Sequence, residues 1–154
     1  MGKLYVVRHA DAGQRAEWDG PDTTRPLSGR GERQATGLRE ALADSGATRL
    51  LASPFRRCVQ TLEPLADELG LTVEPDDRLV EGTGAHGALS LAAEVGDTNA
   101  VFCSHGDVIP DLLDRLVRDG VKLKDELRWQ KASTWVLHRD GDRFTKGRYL
   151  PPTA

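Results

Sequence analysis

The apolar positions of this chain fall into short runs whose spacing changes repeatedly, and the changes predict its elements. Lys3 to Arg8 (KLYVVR) is a β-branched run that stops abruptly at His9-Ala-Asp-Ala-Gly, so it reads as a central strand. Between Ser28 and about Ser45, Ala35, Leu38 and Leu42 recur at helical spacing, with Ser28 as the cap and Gly46 as the stop. Arg49 to Ala52 (RLLA) is a second strand, and Ser53-Pro54 supplies the cap and proline that open a second helix, which Pro64 kinks or splits. After Gly70 a brief strand (LTVEP) leads into an irregular stretch, Asp76 to Gly87, followed by a short helix to about Val95. Asn99 to Ser104 (NAVFCS) has the continuous apolar character of a strand buried on both faces, and Asp107 opens the helix VIPDLLDRLV. Ser133 to His138 and Arg143 to Leu150 flank Asp140-Gly141, a hairpin signal.

Strands alternating with helices predict an α/β fold. The expected architecture is one domain over residues 1–154, a single-domain three-layer α/β/α arrangement with a mainly parallel sheet and an antiparallel pair added late. In such sheets the ligand crevice lies beyond the carboxyl ends of the strands. That rule selects the residues to consider for chemistry.

Composition narrows the partners. The chain has 154 residues, 38% of them hydrophobic, enough for one continuous core. Its apolar runs fall well short of the ~20 residues needed to cross a bilayer, and the N-terminus lacks a signal-peptide layout, so no membrane partner and a cytoplasmic location are expected. A net charge of −3 gives no global attraction to nucleic acid, so any anion site must be local. Cys58 and Cys103 form no C-x-x-C pair and read as reduced, buried thiols. Oligomeric state is not encoded in any motif.

Three predicted strand ends deliver Arg8 and His9, Arg57, and His105 to one edge, a concentrated cationic pocket in an acidic chain. Helix starts at Ser53 and Asp107 add amide dipoles there. A tetrahedral dianion suits this set, because arginine forks match its oxygens in bidentate fashion. A neutral imidazole is also a nucleophile toward phosphorus, which makes His9 the candidate nucleophile, with Arg8, Arg57 and His105 binding phosphate. Glu81, in Arg78-Leu-Val-Glu-Gly, is the candidate proton donor. Taken singly, each has a blander reading: a strand-ending histidine is more often structural, Arg57 could be a solvated helix charge as Arg56 is expected to be, and Glu81 could be an ordinary loop carboxylate. His86 and His138 are assigned to such structural places, one in a loop and one near the hairpin turn.

These residues resemble the histidine phosphatase, or phosphoglycerate mutase-like, superfamily over nearly the whole chain. The family's Arg-His-Gly is similar to Arg8-His9-Ala10, with alanine for glycine, and its Leu-Thr-x-x-Gly-x-x-Gln-Ala segment is similar to the stretch Arg25 to Ala35. Ser53-Pro-Phe-Arg-Arg-Cys-Val-Gln-Thr61 looks like Ser-Pro-Leu-x-Arg-Ala-x-Gln-Thr, which registers the phosphate-binding arginine on Arg57 and sets Cys58 where alanine is usual. Arg-Leu-x-Glu carries the acid/base role to Glu81, and Ser104-His105-Gly106 carries the second pocket histidine to His105. The resemblance implies a hydrolase that uses a phosphohistidine intermediate on His9 and needs no metal and no cofactor. Little sequence separates Glu81 from His105, so the lid insertions of the mutases are missing, and an open pocket admits a phosphorylated protein side chain. Arg-His-Ala-Asp-Ala with its downstream Arg-Pro-Leu resembles the SixA-type phosphohistidine phosphatases. Gln60 to Ala66, Val108 to Leu113 and Ser133 to Leu137 are similar to the histidine-phosphatase domain of some MutT-type Nudix hydrolases, which implies nucleotide-related substrates.

The expected partner is therefore a phosphorylated substrate, either protein phosphohistidine or a small phosphate ester. Two rivals stand beside this reading: a phospho-ligand binding module with little turnover, and a metal-dependent hydrolase built on His9, Asp11 and His105, which nearby arginines disfavour. Gly82-Thr-Gly-Ala-His-Gly87 fits G-x-G-x-x-G by letter but lacks the early strand-to-helix setting, and is read as a flexible loop near Glu81. Specificity contacts are expected from Thr83 to Ala88 and from Gly13 to Thr24.

Overall fold

The computed structural model describes residues 1–153, and its seven strands form one mixed sheet. The strands are β1 (Lys3–Arg8), β2 (Arg49–Ala52), β3 (Val73–Pro75), β4 (Ala100–Ser104), β5 (Lys122–Leu123), β6 (Thr134–Asp140) and β7 (Arg143–Leu150), in the spatial order β3-β2-β4-β1-β6-β7-β5. The β3-β2-β4-β1 half is parallel, and β6 joins it antiparallel to β1 and pairs with β7 as a hairpin. Helices α1 (Gly29–Leu42) and α2 (Arg56–Leu69) pack on one face, and α3 (Gly84–Val95) and α4 (Val108–Arg118) on the other.

Alternation along the strands explains the two layers. Leu4, Val6, Leu51, Ala100 and Phe102 point toward α3 and α4, whereas Tyr5, Val7, Leu50, Val101 and Cys103 point toward α1 and α2. Every residue of β4 is buried, as its unbroken apolar run requires. No helix among the described residues is long and apolar enough to cross a membrane.

Several boundaries differ from the sequence expectation. The first helix ends at Leu42 rather than near Ser45, although Ser28 caps it as expected by accepting from the Gly31 N–H at 3.1 Å. The second helix begins at Arg56 with Phe55, not Ser53, at its cap position; the Ser53 hydroxyl lies 2.9 Å from His105 Nε2 and accepts from the Phe55 N–H at 3.4 Å. Pro64 neither splits nor ends this helix: Cys58, Thr61 and Leu62 before it, and Leu65 and Ala66 after it, are buried on one face and hold both halves to the sheet. The segment read as a flexible loop, Gly82 to Gly87, is helical from Gly84 onward, and His86 is an exposed helix residue. Its capping partner comes from a distant element, since Ala85 N–H donates to Asp111 Oδ2 of α4 at 2.7 Å. The two-residue strand β5, parallel to β7, had no sequence signal.

Phe102 is fully buried between β4 and the α3/α4 layer. Phe102→Ala is expected to lower the unfolding free energy by about 3–5 kcal/mol, read from the denaturation midpoint and slope in urea.

Candidate active site

Strand register assembles the site. Arg8 of β1 lies beside Ser104 of β4, so the next residues, His9 and His105, leave the sheet together at its carboxyl edge. Their ring centroids are 5.6 Å apart. Ala52 of β2 pairs with Cys103 of β4, so the chain leaves β2 at the same edge, and in the first turn of α2 Arg57 reaches the same cavity. Glu81 arrives six residues after β3, its loop tied down where Ser104 Oγ donates to the Leu79 carbonyl at 2.6 Å. A cavity of about 420 Å³ results, lined by Arg8, His9, Arg57, Glu81 and His105 together with Gly13, Arg15, Arg25, Gly106, Asp107 and Lys131.

The state of His9 follows from one hydrogen bond. Its Nδ1 lies 2.8 Å from the Ala10 carbonyl, which can only accept, so Nδ1 carries the proton and Nε2 keeps a lone pair. Burial, with the charges of Arg57, His105 and Arg8 against a partly offsetting Ala10 bond, brings the His9 pKa down to about 3. The imidazole is thus neutral at ordinary pH. Ala10 serves this arrangement without glycine's freedom: it does not adopt a positive φ, and its N–H donates to Thr61 Oγ1 at 2.9 Å.

The cationic groups are held with donors to spare. Arg57 is 2% exposed and gives its two terminal nitrogens to the Asp22 carbonyl and carboxylate at 3.0 and 3.1 Å. Arg8 donates to the Trp129 carbonyl at 2.9 Å. His105 turns Nε2 toward Ser53 Oγ and, at 3.6 Å, Cys58 Sγ, leaving Nδ1 3.9 Å from a Glu81 oxygen. Arg8 Nε, Arg57 Nε and His105 Nδ1 are the buried side-chain nitrogens or oxygens that lack a hydrogen-bond partner among the described residues, and all three belong to the cavity wall. Gly106 explains why no larger residue follows His105, since a Cβ there would lie 2.7 Å from the Arg8 guanidinium carbon.

Carboxylates balance the cluster. Asp22 bridges Arg57, Arg25 and Arg15, and although burial opposes its ionisation, these partners hold its carboxyl below the usual range. Glu81 reaches Arg15 at 3.1 Å and Arg57 at 3.7 Å. Asp11, weighed as a metal ligand with the two histidines, faces elsewhere: it accepts from Ser28 Oγ at 2.6 Å and pairs with Lys131 at 3.2 Å. Cys58 is free and buried; burial works against its thiolate, but hydrogen bonds from Cys103 and His105 outweigh that and lower its pKa.

Arg15, Asp22 and Lys131 were not singled out by the sequence, and Arg25 was taken only as part of a helix-marking segment. Arg15 and Asp22 fall within the Gly13–Thr24 stretch expected to carry specificity, whereas Thr83–Ala88 does not line the cavity. Lys131 follows from backbone geometry that spacing does not announce: Ala132 adopts φ 65°, and its N–H lies within hydrogen-bond reach of the Arg8 and His9 carbonyls at 3.0 and 3.2 Å.

Comparison with known proteins agrees with this architecture. The profile of the histidine phosphatase superfamily (branch 1) matches residues 4–90, and the chain belongs to that family. It is 38% identical over 156 residues to an 8-oxo-(d)GTP phosphatase of Mycolicibacterium smegmatis, an alignment that takes in 97% of this chain and 48% of the relative; the chain thus spans about half that protein's length. The solved structure of the protein histidine phosphatase SixA complexed with tungstate shares the fold, with a TM-score of 0.76, 21% identity and coverage of 94% of this chain and 95% of that one. Bacillus stearothermophilus YhfR does so as well, with a TM-score of 0.75, 15% identity and 94% coverage of each chain.

The depressed His9 pKa sets a direction for stability. The unfolded chain binds a proton at this imidazole near pH 6.5 and the folded chain only near 3, so His9 destabilises the fold progressively as pH falls through that interval. Relative to wild type, His9→Gln should therefore gain about 2–3 kcal/mol between roughly pH 7.5 and 4.5, measured by urea unfolding of both proteins at each pH.

Proposed function

We propose that this chain is a phosphatase that carries the phosphoryl group transiently on His9 Nε2. The observation that supports the reading best is the pairing of a neutral, oriented imidazole with orphaned donors on Arg8, Arg57 and His105. A phosphoryl group supplies the acceptors these donors lack, and its phosphorus then faces the free lone pair. In the first step the His9–phosphorus bond forms as the bond to the leaving oxygen or nitrogen breaks, and protonated Glu81 gives its proton to the departing atom. In the second, water attacks the phosphohistidine, the electron pair returns to Nε2, and a water proton passes to the Glu81 carboxylate. Atoms balance to substrate plus water giving alcohol or amine plus phosphate. The cycle needs no metal or cofactor, since the guanidinium groups supply the positive charge that a cation would bring.

The substrate is a phosphomonoester or a phosphoramidate, and an open cavity with its chemistry near the surface admits phosphohistidine on a protein. A nucleotide is the second reading, favoured by the 8-oxo-(d)GTP phosphatase relative. A binding module without turnover is the rival, yet holding phosphate gives no reason for an imidazole lone pair beside the anion.

Two measurements test the chemistry. Brief reaction with a labelled phosphate donor followed by alkaline quench should leave acid-labile label on wild type and none on His9→Ala; label on both would remove His9 from the mechanism. Glu81→Gln should lower kcat about 10²-fold or more with a poor leaving group, and much less with an activated aryl phosphate.

A further inference from the structure

The loop between β1 and α1 offers more than one phosphoryl group uses. Trp18 is 39% exposed although it is a large ring, and it is nevertheless fixed in place. Its Nε1 lies 3.0 Å from the Pro21 carbonyl and 3.4 Å from Thr24 Oγ1, so the indole's only polar atom is satisfied within the loop and the ring is oriented before any ligand arrives. The loop itself is pinned by Arg25, which donates to the Ala12 and Gly13 carbonyls at 2.7 and 3.1 Å and to Asp22. Trp18 lines a shallow depression of about 210 Å³ with Gln14 and Glu17, and this depression adjoins the His9 cavity through shared residues Gly13 and Arg25.

Charge points the same way. Arg8, Arg57 and His105 suffice for one phosphoryl group, but Arg15 and Lys131 also line the cavity, each reachable by solvent, Arg15 paired with Asp22 and Glu81 and Lys131 with Asp11. Both line the same cavity as His9 and add cationic groups beyond those three. We infer that the site takes a purine nucleoside diphosphate or its longer homologue, with the terminal phosphoryl group at His9, the next phosphate on Arg15 and Lys131, and the base stacked on Trp18. This rests on the His9 phosphatase reading. In that substrate the bond between terminal phosphorus and bridging oxygen breaks as His9–phosphorus forms, the shortened nucleotide leaves with the electron pair as a phosphate anion, and water releases inorganic phosphate from His9. Glu17 at the rim of the depression can accept from the N1–H and 2-amino groups of guanine, a pair that adenine lacks, so GDP should be preferred to ADP.

The test compares kcat/KM for GDP, ADP, acetyl phosphate and a phosphohistidine protein in wild type, Trp18→Ala and Trp18→Phe. Acetyl phosphate is the ringless control. Trp18→Ala should lower the GDP to acetyl phosphate ratio about tenfold or more, through KM rather than kcat, and Trp18→Phe should recover most of it. An unchanged ratio, equal losses on both substrates, or phosphohistidine protein outpacing GDP in wild type would overturn the nucleotide assignment while leaving the phosphatase intact. Should wild type turn over none of the four, the phosphatase reading fails instead. Calorimetric titration with GDP then decides the base site: binding weakened in Trp18→Ala supports it, and equal or absent binding overturns it.

Discussion

Two guanidinium groups and two imidazoles cannot share a few ångströms without anionic company, and much of this molecule is arranged around that repulsion. It is relieved in two ways. His9 is kept uncharged chiefly by burial, to which the surrounding cations add, and this outweighs the opposing hydrogen bond to the Ala10 carbonyl. Asp22 and Glu81 meanwhile supply negative charge from two separate loops, one before α1 and one after β3. The cluster remains short of acceptors even so, since Arg8 Nε, Arg57 Nε and His105 Nδ1 are buried at the cavity wall without a partner among the described residues.

How far the sequence reveals this depends on whether a feature is local. The strands β1 and β4 are legible because both are unbroken apolar runs ending in histidine, and parallel pairing of such runs brings their ends together. Arg57 could be told from Arg56 by motif register, and the structure has Arg57 buried and Arg56 exposed. Illegible features share a different property, since they depend on partners far along the chain. The start of α3 relies on Asp111 of α4, and the fate of the Ser53 hydroxyl relies on His105. Lys131 enters the cavity through a backbone turn at Ala132 that alanine seldom adopts, so composition there misleads.

The site draws on both the sheet edge and the loops around it. Of the motifs that resemble the superfamily, those holding Arg8, His9, Arg57 and His105 map to the sheet edge and the first turn of α2, where strand register leaves little freedom. Other residues of the site and of the adjoining depression sit on loops: Arg15 and Trp18 on one, Lys131 on another. Loops tolerate change in a way that a seven-stranded sheet does not, so a family can keep its chemistry and still exchange its substrates.

The sheet's margins have a consequence of their own. One border strand, β3, is three residues long and closes on Pro75, and the other, β5, is two residues long. Such stubs expose too few unpaired amides to template an incoming strand. Neither border strand therefore offers a length of edge on which another chain could add a strand.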